Sequence, residues 1–135
     1  RILQNTSEFS INSSYRRFWT KKVKSYIETC ENGFEGKRKK NFTMRWVGSL
    51  VADSSRIFER GGIFLYPEDK REKNKNGRLR LTYEANPIAF LVEQAGGKAT
   101  DGNIDILKVN VKKIHQRVPF IFGSKEEVDT FLNTE

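Results

Sequence analysis

Sulfur and imidazole are nearly missing from this chain: its 135 residues include one cysteine, Cys30, one histidine, His115, and one methionine, Met44. A single thiol excludes an intrachain disulfide framework and a cysteine-based zinc site, and it leads to the expectation of a reducing, cytoplasmic compartment. A lone histidine excludes a multi-histidine metal centre. No serine–histidine–acid arrangement can be built around the IHQRVP segment, so His115 reads as structural. Long apolar runs are missing too; none approaches the ~20 residues that span a bilayer, and no secretory signal is visible. The chain opens at Arg1 with Met44 as its only methionine, so it is expected to be an excised or truncated part of a longer protein. Internal repeats and low-complexity segments are also absent.

Aromatics are plentiful: ten Phe, four Tyr and two Trp supply the bulk for one core in a chain that is 31% charged. The net charge of +8 points to an anionic partner. The run Lys37–Lys40 (KRKK) raises nucleic acid as one such partner, but no nucleic-acid motif accompanies it, and it reads as a solvated loop. Neither a nucleic acid nor a membrane is expected.

Periodicity supplies the elements. Phe9 and Ile11 alternate with polar neighbours, as in a short strand. Tyr15, Phe18, Trp19, Val23, Tyr26, Ile27 and Cys30 recur at helical spacing and predict one helix, stopped by Asn32-Gly33. Ser49 is a candidate N-cap for a helix to Arg60, which Gly61-Gly62 ends. Ile63–Tyr66 reads as a buried strand, Glu68–Gly77 as a solvated loop, and Arg78–Tyr83 as an alternating strand with Leu79, Leu81 and Tyr83 on one face. Asn86-Pro87 marks a helix start that would bury Ile88, Leu91 and Val92. Lys98–Thr100 and Phe120–Phe122 are further strands. Ser124-x-x-Glu127 has the capping-box pattern for a last helix burying Val128, Phe131 and Leu132. Alternating strands and helices predict an α/β layered domain, a mixed sheet covered by helices on both faces.

Several side chains have chemistry suited to an anion or a cation. Glu84 follows a predicted strand and sits at a helix start. A carboxylate there can hold a divalent cation, or it can simply favour the positive end of the next helix. Arg78 and Arg80, two apart on a strand, can grip one phosphate dianion or stand as solvated surface charge. Arg45 precedes a helix whose N-terminus can hold an anion. Asn12, Tyr15 and Tyr66 offer donors to phosphate oxygens, though the tyrosines equally suit core positions with a wet hydroxyl. Cys30 lies on the apolar helix face and reads as a small buried hydrophobe.

Five ordered blocks then resemble one family: RWVGSLVAD (Arg45–Asp53), GGIFLYP (Gly61–Pro67), GRLRLTYEANP (Gly77–Pro87), EQAGG (Glu93–Gly97) and IHQRVPFIFG (Ile114–Gly123). With SINSSY (Ser10–Tyr15) upstream, they are similar in order and spacing to the C-terminal, sugar-phosphate-binding half of class I fructose-1,6-bisphosphatase. The resemblance covers nearly the whole chain as a single domain. It implies a parent enzyme that hydrolyses fructose 1,6-bisphosphate to fructose 6-phosphate in gluconeogenesis, with a metal-dependent catalytic half that is not in this chain. The alternatives are a sedoheptulose-1,7-bisphosphatase domain or a non-catalytic sugar-phosphate-binding or regulatory module.

The resemblance also implies roles. Asn12, Tyr15, Tyr66 and Arg78 would hold the 6-phosphate, and Arg45 would reach the 6-phosphate site of a neighbouring subunit in a dimer or tetramer. Leu50 and the Gly48-Ser49 turn would lie against the furanose ring. Glu84 would be one ligand of the Mg2+ near the 1-phosphate. The other metal carboxylates, in an Asp-Pro-x-Asp-Gly-Ser segment, do not occur here, so the isolated chain is expected to be inactive. Binding of AMP is not expected, because the usual nucleotide site belongs to the other half. The chain departs from the family in places. Trp46 stands where a tyrosine is usual, Arg78 where a lysine is usual, Ser13-Ser14 replace Glu-Gly, and the loop Glu68–Gly77 is longer and more charged.

Overall fold

The computed structural model describes residues 1–135. Its strands are β1 (Glu8–Ser10), β2 (Thr43–Met44), β3 (Ile63–Tyr66), β4 (Leu79–Arg80), β5 (Lys98–Thr100), β6 (Arg117–Val118) and β7 (Phe120–Gly123). Its helices are α1 (Lys21–Glu31), α2 (Leu50–Arg60), α3 (Asn86–Gln94) and α4 (Lys125–Leu132). Five strands form one sheet in the order β2-β1-β3-β7-β5, and β4 pairs with β6 in a separate ribbon. β1 runs parallel to β2 and β3, while β7 runs antiparallel to β3 and β5. The fold is therefore the predicted α/β layered domain with a mixed sheet.

β3 is apolar along its length because both of its faces are covered. Ile63 and Leu65 pack with Ile121 against Val23 and Ile27 of α1 and Val128 and Phe131 of α4. Phe64 points the other way, with Phe120 and Phe122, against Ile57 of α2 and Ala89 and Val92 of α3. Two helices thus lie on each face. The Phe64 and Phe122 rings stack with centroids 5.1 Å apart. Each fully buried side chain of this size contributes about 1.5–3 kcal/mol.

Several sequence expectations change in detail. The helix predicted across Tyr15–Cys30 divides into a 3-10 turn at Ser13–Phe18 and α1. Between them Trp19 is extended (ψ 146°) and buried, bridging backbone to backbone with Asp69. Thr20 restarts the helix by accepting the Val23 N–H on its own hydroxyl. Burial of the indole overrides a periodicity that would have carried the helix through it.

The strand predicted for Arg78–Tyr83 stops at Arg80, where its partner β6 runs out. Leu81–Ala85 forms a wide π-turn that continues directly into α3, so Asn86 is helical rather than a cap. Pro87 has no N–H for an α-turn to direct at Tyr83, and its ring crowds that carbonyl; the widened turn accommodates both. On α3 the fully buried positions are Ala89 and Val92, in line with Leu81 and Ala85, whereas Leu91 is exposed and Ile88 only partly covered. Small alanines let the helix lie close to the sheet.

The capping box at Ser124 and Glu127 does not form. Ser124 Oγ instead accepts the Gly62 N–H at 3.1 Å. Glu127 is buried, taking a hydrogen bond from the Tyr26 hydroxyl and one from Arg38 Nη2 at 2.8 Å. Arg38 belongs to the basic run, and Lys40 donates to the Thr6 carbonyl at 2.5 Å. Half of that run is therefore committed to the fold. Cys30 is buried as expected; burial pushes its thiol up to about 11, which leaves it protonated and inert at neutral pH.

β3 and β7 meet at Gly123, where φ is +145° and a Cβ would fall 2.0 Å from the Gly62 carbonyl oxygen. Gly123→Ala is expected to cost at least about 2 kcal/mol in urea unfolding, from strain plus backbone clash. A loss below about 0.5 kcal/mol, the range of a neutral surface change, would contradict this packing.

Candidate functional site

β1, β2 and β3 are adjacent and parallel, so their carboxyl ends open on one edge of the sheet. Ligands of α/β proteins gather at such edges because loops diverge there and leave a crevice. Asn12 follows β1, Trp46 follows β2, and Tyr66 ends β3. These three side chains and Tyr15, from the 3-10 turn after Asn12, line one small cavity. All four are half-buried, so each keeps a polar tip at the rim.

The walls are held from behind. Asn12 Oδ1 accepts the Ser14 N–H at 3.0 Å and so caps the turn that carries Tyr15. Trp46 stacks on Phe64 at 5.5 Å and meets Tyr66 edge-on at 6.2 Å. The loop between Trp46 and α2 is clamped by Asp53, which is fully buried. Its two oxygens accept the N–H groups of Val47 and Gly48, both at 3.1 Å. Arg56 neutralises it at 2.7 Å and also donates to Ser10 Oγ at 2.6 Å, tying the loop to the end of β1. RWVGSLVAD thus encodes a loop together with the carboxylate that shapes it, a function of Asp53 that sequence reasoning missed.

A second missed pair lies in the charged segment after Pro67. Asp69 also lines the cavity. Its carboxylate accepts the Arg71 backbone N–H at 2.9 Å, Nε at 3.2 Å and Nη2 at 2.7 Å. Asn74, buried, donates to it at 3.1 Å. So held, the Arg71 guanidinium lies over the Tyr15 and Phe18 rings, 4.5 Å from each centroid. Arg78 approaches from the other end of the loop, 5.9 Å from the Tyr66 centroid. The segment read as a solvated loop is therefore partly a cavity wall. Its clue was the aspartate placed two residues before an arginine, a spacing too common to stand out.

Other candidates lie apart. Arg45 donates its backbone N–H to Phe9, but its side chain turns along the sheet edge to Glu8, with Nε 3.4 Å from Oε1. Leu50 packs against the Phe64 core as the first residue of α2. Arg80 is exposed. Glu84 Oε1 accepts the Arg80 N–H at 2.9 Å, which gives the helix-start role that its position allowed. No three His, Cys, Asp or Glu side chains are grouped to hold a metal. His115 is exposed and tilts against Tyr83 at 5.9 Å. No helix is long and apolar enough to cross a membrane.

The family model for the fructose-1,6-bisphosphatase C-terminal domain matches residues 2–134. The chain belongs to that family. Class 1 fructose-1,6-bisphosphatase of Azorhizobium caulinodans is 59% identical over 123 residues, 91% of this chain and 38% of its own length. The class 1 enzyme of Hydrogenophilus thermoluteolus is 54% identical over 129 residues, 96% of this chain and 36% of its own length. One class 1 enzyme of Methylibium petroleiphilum is 56% identical over 128 residues, again 36% of its own length. The chain thus spans a little over a third of the length of these curated relatives.

Within this C-terminal domain, Asp69 has a clear pH signature. Burial raises its pKa, but hydrogen bonds from the Arg71 side chain and backbone and from Asn74 outweigh that and hold it below the usual carboxylate range. A lowered folded-state pKa means stability that is fully present above the unfolded value of about 3.9 and is lost as pH falls through the folded one. Asp69→Asn should therefore destabilise the protein at pH 7. The gap to the parent should narrow as pH drops below about 4. Urea unfolding at several pH values measures it, and a gap that stays constant into strong acid would refute the assignment.

Proposed function

We propose that this chain is the sugar-phosphate-binding part of a fructose-1,6-bisphosphatase, whose whole form hydrolyses fructose 1,6-bisphosphate to fructose 6-phosphate and phosphate. The observation that carries the reading is the convergence of Asn12, Tyr15, Trp46 and Tyr66 beyond three parallel strand ends, with Arg71 and Arg78 beside them. Amide, phenol and indole donors beside guanidinium groups suit a phosphate ester, because charge-assisted bonds to its oxygens are stronger than neutral ones. Arg78 brings a planar fork where a lysine would bring a point charge, so its grip on the phosphate is directional.

This chain's residues do not make a metal centre by themselves, since Glu84 is a single carboxylate with one oxygen already bonded to Arg80 N–H. In the whole protein we assign Glu84 as one ligand of a Mg2+ site completed by acids from the remaining part. The metal would neutralise the phosphate and activate water there. Arg45, exposed on the edge next to β2, is free to leave Glu8 for the phosphate site of a neighbouring copy. Leu50 would lie against the furanose. A cytoplasmic, reducing setting is proposed from the cysteine count alone, since one thiol cannot form an intrachain disulfide.

Two measurements test this reading. Fructose 6-phosphate titrated into the chain should shift the NMR resonances of Tyr15, Tyr66 and Arg78; shifts confined to other residues would refute the site. Incubated alone with fructose 1,6-bisphosphate and magnesium, the chain should release no phosphate above the blank. Clear turnover would show that the chemistry does not need the other part.

A further inference from the structure

We propose that Arg71 is a phosphate-binding residue of the Tyr15–Tyr66 cavity, supplied by the charged loop between β3 and β4; this rests on the sugar-phosphate reading above. The cavity's lining side chains include no cation. Asn12, Tyr15, Trp46 and Tyr66 are neutral, and Asp69 is an anion. The cavity has room for little more than a water, about 10 Å³, so a phosphate dianion would sit at its mouth, where Asp69 opposes it unless positive charge stands nearby, because unpaired charge at a half-buried site is costly. Arg78 supplies one cation near the Tyr66 ring. Arg71 supplies the second near the Tyr15 ring.

Arg71 is also prepared for the task. Its Nε and Nη2 are held by Asp69, and its plane rests against Tyr15 and Phe18. A guanidinium has five N–H donors, and these two contacts leave the Nη1 pair free. Asp69 is fixed in turn by the Trp19 bridge and by Asn74. Little side-chain entropy is then left to lose on binding. The hydrogen bonds to Asp69 and its negative charge stabilise the charge on Arg71. Trp46 makes the need specific: its indole has one N–H and no hydroxyl, and its ring is engaged with Phe64 and Tyr66. The loop's cation thus supplies the positive charge that the wall lacks.

The test uses the intact protein and calorimetric titration of fructose 6-phosphate, with fructose as the unphosphorylated control. Arg71→Ala should weaken fructose 6-phosphate about 10- to 100-fold, the reach of one charge-assisted group. Arg71→Lys should recover part of that loss; because Arg71→Ala also takes a partner from Asp69 and should lower the thermal midpoint, the titrations are run well below the midpoint of every variant. In turnover, KM for fructose 1,6-bisphosphate should rise while kcat holds. Tyr66→Phe serves as the control for the site. If Tyr66→Phe weakens binding and Arg71→Ala does not, the proposal for Arg71 fails and the sugar-phosphate reading stands. If Arg71→Ala lowers the thermal midpoint and Arg71→Lys restores stability but not affinity, Arg71 is structural and the proposal fails. If the parent protein binds no fructose 6-phosphate, the sugar-phosphate reading itself falls.

Discussion

Burial of β3 on both faces is the constraint from which the rest of the domain follows. Four consecutive large side chains, Ile63–Tyr66, cannot alternate between core and water, so each face of the strand needs its own helical layer. α1 and α4 cover one face, α2 and α3 the other. Its neighbours must also supply backbone partners on both sides, which β1 does in parallel and β7 in antiparallel. The site begins where this constraint relaxes. Tyr66 is the residue at which β3 leaves the layers, and it is half in the Phe64 core and half at the rim. A phenol is well matched to that position, with an apolar body and a polar end.

Two carboxylates beside a proposed anion site look contradictory on charge alone. Each is resolved by an arginine. Asp53 is paired with Arg56, and Asp69 with Arg71. Removing these charges from water costs free energy, and the pairs are not strong stabilisers by themselves. What they supply is orientation: Asp53 points the Val47 and Gly48 N–H groups inward on their loop, and Asp69 sets the plane of Arg71. The same economy governs the positive charge. Arg38 and Lys40 flank the Phe42 ring at 4.9 and 5.2 Å while bonding to Glu127 and Thr6, so the net basicity is not one free patch.

Much of this architecture was legible before any coordinates. Ser49 as a cap, Gly61 as a stop, and the strands at Ile63–Tyr66 and Phe120–Gly123 follow from local rules that tertiary contacts reinforce. Where local and global demands conflict, reading fails. Trp19 sits at a helical position in the pattern but leaves the helix to be buried. Tyr83 alternates like a strand residue, yet β6 offers nothing for it to pair with and Pro87 favours a widened turn. Ser124 and Glu127 have capping-box identity, but Gly62 and Tyr26 claim their side chains first.

For the site, residue identity named the chemical types: Asn12, Tyr15, Tyr66 and Arg78 are donors wherever they fall. Family membership also rests on those ordered motifs, since the matched residues are the sequence itself. Convergence was a different matter. Asn12 and Tyr66 are far apart in the chain, and they share a wall because parallel pairing aligns the ends of β1 and β3. Arg71 joined them, and Arg45 turned away to Glu8, for reasons no pattern records: a carboxylate placed by folding sets the direction of each guanidinium. Side-chain type is local information, whereas side-chain direction depends on partners that only packing brings near.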